Sequence, residues 1–144
     1  METENKTITV ENTVKAPIEK VWEFWTRPQH IEKWNNASDD WHTPHAENDL
    51  RVGGKFVSRM EAKDGSFGFD FGGVYDVVKE NECIEYTLGD GRKVKTFFTP
   101  TGNETKVAET FETESTHPVE IQKNGWQAIL DSFKKYTETM TEKV

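Results

Sequence analysis

The acidic residue Glu109 is the side chain whose position best suggests chemistry. It lies in the segment Lys106 to Glu112, where Val107, Glu109 and Phe111 alternate with mostly polar residues. Alternate side chains of a β-strand share one face, so if Val107 and Phe111 pack inward, Glu109 points inward too. A buried carboxyl group has a raised pKa and can orient a ligand or act as a general acid or base. Glu109 is therefore our one candidate for catalysis, although exposure or pairing with a lysine or arginine is the commoner arrangement.

Large apolar side chains are the second group that could take part in binding. The chain has five tryptophans and nine phenylalanines, although its hydrophobic share is only 33%. Rings stack and methionine adapts its shape, so such residues can line a pocket for a flat hydrophobic molecule, whereas plain core packing is the alternative for each of them. The candidate ligand-binding residues are Trp25, Trp41, Phe56, Met60, Phe69, Phe71, Tyr86, Phe98, Phe111, Trp126 and Ile129.

The segment Trp41 to His45 carries two histidines with H-x-x-H spacing. Outside a helix this spacing does not place both imidazoles on one face, and no cysteine or further histidine nearby completes a tetrahedral site, so we predict no metal site. We expect His42 and Asn35 at the mouth of a pocket, where each could form a hydrogen bond with a ligand. His30 and His117 lie near predicted helix ends and are interpreted as structural or solvated.

Other sequence motifs for catalysis or cofactor binding are lacking. Cys83, the one cysteine, has Glu82 and Glu85 beside it, and these carboxylates would raise the pKa of its thiol, so we expect no nucleophilic role. The chain contains no G-x-S-x-G nucleophile motif. The pairs Gly53-Gly54 and Gly72-Gly73 lack the strand-turn-helix context of phosphate loops and predict backbone bends. We therefore predict no cofactor.

Composition limits the partners. The chain of 144 residues fits one domain, large enough to fold without disulfides or metal. A formal net charge of −8 argues against nucleic acid or an anionic membrane surface as partner. No apolar run approaches the ~20 residues needed to cross a bilayer. The single cysteine and the lack of a charged-then-apolar leader in METENKTITV predict a cytoplasmic protein, which we expect to be a monomer.

Hydrophobic periodicity predicts the elements that position these residues. Apolar residues recur at three- and four-residue steps from Pro118 to about Met140, which predicts one long amphipathic helix. Two short helices are predicted after the first strand, and the polar segment Asn35 to Leu50 is predicted as a loop with a short strand at Asp40 to Thr43. The other predicted strands are Lys6–Val14, Lys55–Ala62, Phe67–Lys79, Cys83–Leu88, Arg92–Thr99 and Lys106–Glu112. This order predicts an α+β layout with the helices on one face of an antiparallel sheet.

Several short motifs, in this order and spacing, resemble the SRPBCC (START-like, helix-grip) superfamily. They are Ala16-Pro17-x-x-x-Val21-Trp22, Trp34, Leu50-Arg51-x-Gly53-Gly54-x-Phe56, Gly73-x-Tyr75 and Gly125-Trp126. The nearest resemblance is to bacterial single-domain proteins similar to the carboxy-terminal domain of the activator of the heat-shock protein 90 ATPase. It implies one START-like domain over residues 1–144, with a curved seven-stranded sheet gripping the long helix around a hydrophobic cavity.

Three functions stay open after this resemblance, because one fold serves many functions. The first is non-enzymatic binding or carriage of a small hydrophobic ligand, aromatic or lipid-like, between the carboxy-terminal helix and the sheet. The second is an enzyme of the polyketide cyclase or aromatase kind, for which Glu109 and the histidines at the mouth are the motivation. The third is a co-chaperone module that acts on the heat-shock protein 90 ATPase, a protein partner for which the resemblance is the sole support.

Overall fold

A computed structural model of the protein describes residues 7–142, and these form one sheet and three helices. The elements in chain order are β1 Thr7–Val14, α1 Ile18–Thr26, α2 Pro28–Trp34, β2 Trp41–Asn48, β3 Lys55–Ala62, β4 Gly68–Lys79, β5 Cys83–Leu88, β6 Lys93–Thr101, β7 Glu104–Glu112 and α3 Val119–Glu142. The predicted α+β helix-grip fold, with two short helices after the first strand and a long closing helix, is confirmed. No helix among these residues is long and apolar enough to cross a membrane.

The sheet is antiparallel throughout, in the order β1-β7-β6-β5-β4-β3-β2. Two glycines of the long strand β4, Gly72 and Gly73, let the neighbouring strands approach closely. A Cβ atom at Gly72 would lie 2.5 Å from the Phe56 carbonyl oxygen, and one at Gly73 would lie 2.3 Å from that of Thr87. A register shift follows between Tyr75 and Val77. The sheet is curled, and the helices lie on its concave face.

Strand β2 is longer than predicted, since it covers Trp41–Asn48 rather than Asp40 to Thr43. It is an edge strand, and a register shift in its pairing with β3 surrounds Pro44, which has no N–H group to donate. Helix α2 covers this edge: the backbone N–H of Ala46 donates to the Glu32 carboxylate over 3.0 Å. A bulge and a helix partner thus stabilise a strand whose polar sequence resembles a loop.

Helix α3 divides into a packed half and a half that covers open space. Its second half buries Leu130, Phe133 and Thr137 completely, and the Asn12 amide of β1 donates to the Leu130 carbonyl over 3.1 Å. Phe133 contacts the ring of Trp34 from α2 at a centroid distance of 4.9 Å. Helices α1 and α2 therefore fill the space beneath this half. The first half of α3 extends over the sheet without such filling.

Candidate ligand-binding cavity

A cavity of about 570 Å³ lies between the first half of α3 and the concave face of the sheet. Strands β3, β4 and β5 form its floor, α3 covers it, and residues of α1 and α2 close one end. Phe69 is 40% exposed and Ile121 is 58% exposed, and both line the cavity, so its mouth lies between β4 and the start of α3. The space is large enough for a small organic molecule.

Aromatic rings form most of the floor, and they hold one another in place. Phe56 on β3 contacts Tyr86 on β5 edge to face, with ring centroids 4.8 Å apart, and contacts Tyr75 at 5.1 Å. Phe71 on β4 lies 6.2 Å from Phe56 and 6.5 Å from Tyr86. The contacts of Tyr86 with Phe56 and Phe71 are edge to face, and such contacts stabilise the rings beyond their apolar burial and orient them. The floor is therefore a preformed aromatic surface.

Two neighbouring residues of α3 shape the cover. Trp126 stacks on Phe111 of β7 with ring centroids 4.3 Å apart and planes 8° apart, and its edge faces Phe71 at 6.0 Å. Gly125 lines the cavity, and a Cβ atom added there would meet nothing within 4 Å. Glycine inside a helix lowers helix stability by about 1 kcal/mol relative to alanine. Gly125 therefore weakens α3 locally, at the point where the helix passes over the open space.

Glu109 lies at the deep end of the cavity and is 5% exposed. The pairing of β6 with β7 sets Thr96 opposite it, and the Thr96 hydroxyl donates to Oε2 of Glu109 over 3.2 Å. Burial raises the pKa of Glu109 to about 7, and this hydrogen bond lowers it by a smaller amount. The predicted inward orientation is thus observed, and the carboxyl group can exist in either protonation state near neutral pH.

Two tyrosines add polar atoms to the floor. Burial raises the pKa of Tyr86 well above its ordinary value, and the nearby Glu109 charge adds to this effect, so the phenol stays protonated. Tyr75 donates a hydrogen bond from its hydroxyl to the Asn48 side-chain oxygen. Burial also raises the pKa of Tyr75. Both hydroxyl groups are therefore uncharged under physiological conditions.

The loop between β7 and α3 borders the mouth and is held by side chains. Gln122 donates from Nε2 to the backbone oxygens of Glu114, at 3.0 Å, and of His117, at 2.8 Å. His117 Nδ1 lies 2.8 Å from Oε2 of Glu114, and this contact lowers the pKa of the Glu114 carboxyl group. All three residues line the cavity. His117 is mostly exposed, as predicted, but it also borders the mouth, which its position near a helix end did not indicate.

Nine of the predicted ligand-binding residues lie on the cavity wall, and two do not. Phe98 is 4% exposed and packs between Trp22 and Trp25 of α1, and Phe111 is fully buried beneath Trp126. These two phenylalanines belong to the core, which corrects the expectation that they line the pocket. The nine residues on the wall are Trp25, Trp41, Phe56, Met60, Phe69, Phe71, Tyr86, Trp126 and Ile129.

The two residues predicted at the mouth separate in the structure. Asn35 lines the cavity, but His42 does not. Strand alternation turns His42 to the face opposite Trp41, where its Nε2 lies 3.9 Å from Oε1 of Glu61. His45 instead pairs with Glu47 at 2.7 Å. Within residues 7–142, no group of three histidine, cysteine or acidic side chains could hold a metal ion.

Several wall residues were missed from the sequence. Ser58 lies on the same face of β3 as Phe56 and Met60, so strand alternation could have identified it as a wall residue. Arg92 follows the turn after β5 and reaches the wall while its Nε donates to Asp90 over 2.8 Å. Gly125 belongs to one of the family motifs, but the sequence did not place it on the wall, because a single glycine does not show which way its helix face points. Turn geometry and helix rotation were needed to find these last two.

Comparison with known proteins identifies the family. The family model described as "Activator of Hsp90 ATPase homolog 1-like protein" matches residues 15–138. The solution structure of the AHSA1-like protein from Aeromonas hydrophila is 43% identical, with 94% of each chain covered and a TM-score of 0.89. A solution structure from Cytophaga hutchinsonii is 60% identical, with 94% of each chain covered and a TM-score of 0.80.

More distant relatives share the fold alone. A crystal structure of a protein from Nitrosomonas europaea is 18% identical, with 93% of this chain and 95% of that chain covered and a TM-score of 0.81. No curated protein matches the sequence. The family model and the two similar solution structures agree with the motifs that resembled START-like proteins. The chain belongs to the family of bacterial proteins similar to the activator of the Hsp90 ATPase, within the SRPBCC superfamily.

Proposed function

We propose that this protein binds a small hydrophobic ligand, aromatic or lipid-like, in the cavity beneath α3, and carries it without chemical change. The single observation behind this proposal is the cavity itself, about 570 Å³ of space walled mostly by aromatic and aliphatic side chains. Ligand sites in proteins commonly measure about 300 to 1,000 Å³ and combine an apolar lining with a few polar groups. A well-packed domain core would leave few voids larger than a water molecule.

The preformed floor supports tight binding of flat molecules. Phe56, Tyr75 and Tyr86 are held by ring contacts at 4.8 to 6.3 Å, so little side-chain ordering accompanies binding. Trp126 is likewise fixed by its stacking on Phe111. Each square ångström of apolar ligand surface removed from water contributes about 25 cal/mol, which favours a ligand that fills the space.

One observation favours the alternative of an enzyme similar to polyketide cyclases. Glu109 is buried in the cavity, and its pKa of about 7 suits a general acid or base at physiological pH. Catalysis would also need a second polar group in contact with the substrate, and the neutral Tyr86 hydroxyl on the wall is a candidate. The co-chaperone alternative rests on the family description, and the described residues add no observation that favours it.

The tryptophans provide a direct test by NMR. Trp25, Trp34, Trp41 and Trp126 line the cavity, whereas Trp22 does not and packs against Phe98. Titration with a panel of flavonoids, fatty acids, sterols and polyketide-like aromatics should shift the four cavity indole signals saturably and leave Trp22 nearly unchanged. Absence of saturable shifts across the panel, or equal shifts of all five indoles, would contradict cavity binding.

A glycine-to-leucine pair supplies the matched control. Gly125→Leu places a branched side chain in the open space above the floor and should weaken binding at least about tenfold by excluding ligand. Gly89→Leu makes the same change in an exposed turn where an added Cβ also meets nothing within 4 Å, so it should leave binding unchanged. Mass spectrometry of ligand recovered after incubation should show no conversion, and conversion that Glu109→Gln abolishes would establish the enzyme instead.

A further inference from the structure

Most polar side chains that line the cavity already have hydrogen-bond partners within the protein, but one oxygen of Glu109 does not. Arg92 is bound to Asp90, Tyr75 to Asn48, and Gln122 to the loop before α3. Glu109 receives one hydrogen bond, from Thr96 to Oε2, and among residues 7–142 no group donates to its Oε1. That oxygen belongs to a side chain that is 5% exposed and lines the cavity. Within residues 7–142 the fully enclosed side-chain atoms without a hydrogen-bond partner are Asn12 Oδ1 and Thr137 Oγ1, so Oε1 of Glu109 is open to the cavity. A ligand that fills this space displaces water from Oε1 and leaves it unsatisfied unless the ligand itself supplies a donor.

The surrounding residues offer Glu109 no cation. Its same-face neighbours on β7 are Val107 and Phe111, and the ladder across the sheet continues through Thr96 to Ile84, all uncharged. Other charged or titratable groups on the wall are Tyr75, Tyr86, Arg92, Glu114 and His117. The two tyrosines are neutral, the Arg92 guanidinium is paired with Asp90, and His117 is paired with Glu114 at the mouth. Among the described wall residues, Glu109 is thus the acidic group that has a neutral hydrogen-bond donor, Thr96, but no cation beside it.

We propose that the ligand carries a hydrogen-bond-donating group, a hydroxyl or an amine, at the end of an apolar body, and that this group donates to Oε1 of Glu109. This inference rests on the proposed function, because it names the chemistry of a ligand for the same cavity. The apolar body would lie over Phe56 and Phe71 beneath Trp126. A methyl ether in place of the donor would leave the carboxylate unsatisfied, and a ligand carboxylate would face it with like charge.

The protonation state of Glu109 should make the preference for a hydrogen-bond-donating ligand over its methyl ether depend on pH. Its pKa of about 7 means that Glu109 is mostly protonated at about pH 5.5 and mostly ionised at about pH 8. Hydrogen bonds to an ionised acceptor are roughly twice as strong as neutral ones. The advantage of a hydroxyl ligand over its methyl ether should therefore grow as the pH rises. No other wall carboxylate shares this deep position, since Glu114 lies at the mouth beside His117.

The experiment compares four biphenyls that differ in one para substituent: hydroxyl, aminomethyl, methoxy and carboxylate. Dissociation constants are measured by titration of the indole NMR signals at about pH 8 and about pH 5.5. At the higher pH the hydroxyl and aminomethyl compounds should bind about tenfold or more tightly than the methoxy compound, and the carboxylate should bind most weakly. A hydroxyl ligand and an ammonium ligand are then distinguished by which of the two binds more tightly.

The variant Glu109→Gln keeps the volume and the Thr96 contact but removes the charge. In this variant the hydroxyl and methoxy compounds should bind within about twofold of each other at both pH values. Glu80→Gln, an exposed acid outside the cavity, should preserve the wild-type preference. The pH comparison in the wild-type protein needs no variant, so the inference is testable even if Glu109→Gln folds poorly.

Two results would overturn the inference in different ways. If all four compounds shift the cavity indoles with equal affinity, or the hydroxyl preference is unchanged between the two pH values, the cavity binds ligands but Glu109 does not select them. If none of the compounds, and none of the wider ligand panel, shifts those indoles, cavity binding itself fails and the inference fails with it. Loss of the preference in Glu109→Gln together with its retention in Glu80→Gln would support the inference.

Discussion

Replacing Glu109 by glutamine should make the folded protein more stable at alkaline pH. Glu109 is buried, and its one hydrogen bond comes from the neutral hydroxyl of Thr96. Folding at high pH therefore removes an ionised carboxylate from water without a cation to compensate it. Glutamine fills nearly the same volume, can still accept from Thr96, and carries no charge. The change thus isolates the cost of the buried charge.

The shift in pKa sets the size of this effect. Burial moves the pKa of Glu109 from 4.5 to about 7, and each unit corresponds to about 1.36 kcal/mol, so the ionised form costs roughly 3 kcal/mol of folding stability. Below about pH 4.5 the group is protonated in both states and this cost is absent. It develops as the pH rises from about 4.5 to about 7 and is constant above that. Stability from this group is therefore lost with increasing pH.

Urea unfolding followed by tryptophan fluorescence measures the effect. The difference in unfolding free energy between Glu109→Gln and wild type should be small near pH 4.5 and reach roughly 3 kcal/mol at about pH 8 in favour of the variant. Subtracting the two curves cancels the titration of all other groups. Glu80→Gln removes one negative charge from the exposed surface of a chain with net charge −8, and should change stability by no more than about 0.5 kcal/mol.

A difference that does not vary with pH would refute this reasoning, because it would mean that Glu109 has the same pKa in the folded and unfolded states. A variant less stable than wild type at about pH 8 would also refute it. In that case the charged carboxylate would have a stabilising partner in solution, and the ligand selectivity inferred above would lose its basis.

Three further substitutions test the packing around the cavity. Phe133→Ala removes a fully buried ring from the packed half of α3 and should cost about 3 to 5 kcal/mol in urea unfolding. Tyr75→Phe leaves the Asn48 side-chain oxygen without its donor and should cost about 1 to 2 kcal/mol, with little change if that hydrogen bond is not formed in solution. Gly54→Ala places a Cβ atom 2.1 Å from the Asp49 carbonyl oxygen, so its thermal midpoint should fall by several degrees or more; an unchanged midpoint would contradict this close approach.

Strand and helix periodicity predicted most elements well because those segments bury one regular face. The amphipathic pattern of α3 and the alternation of Val94, Thr96 and Phe98 on β6 are direct consequences of such burial. Strand β2 was underestimated because its extension depends on a bulge at Pro44 and on the covering helix α2, and neither leaves a local pattern. The length of β2 therefore depends on contacts with β3 and α2, which the local sequence of the strand does not show.

The sequence predicted only part of the site, because local patterns show which residues point inward but not what covers them. Alternation identified the inward face of each strand, and so it identified Glu109, Phe56 and Met60 correctly as inward residues. It could not distinguish an inward residue covered by a helix from one that faces open space. Phe111 lies under Trp126 and is core, whereas Phe71 on the same face of the sheet borders the cavity.

The sequence by itself determined every element except the extent of β2, together with the family and the face on which most strand residues lie, because these follow from local periodicity and short motifs. The tertiary structure decided where the concave face is filled and where it is open. That depends on the curl of the sheet, on the placement of α1 and α2 under the second half of α3, and on Gly125 over the remaining space. It also decided that Glu109 lies deep in that space with Thr96 as its partner, since only strand pairing brings those two residues together.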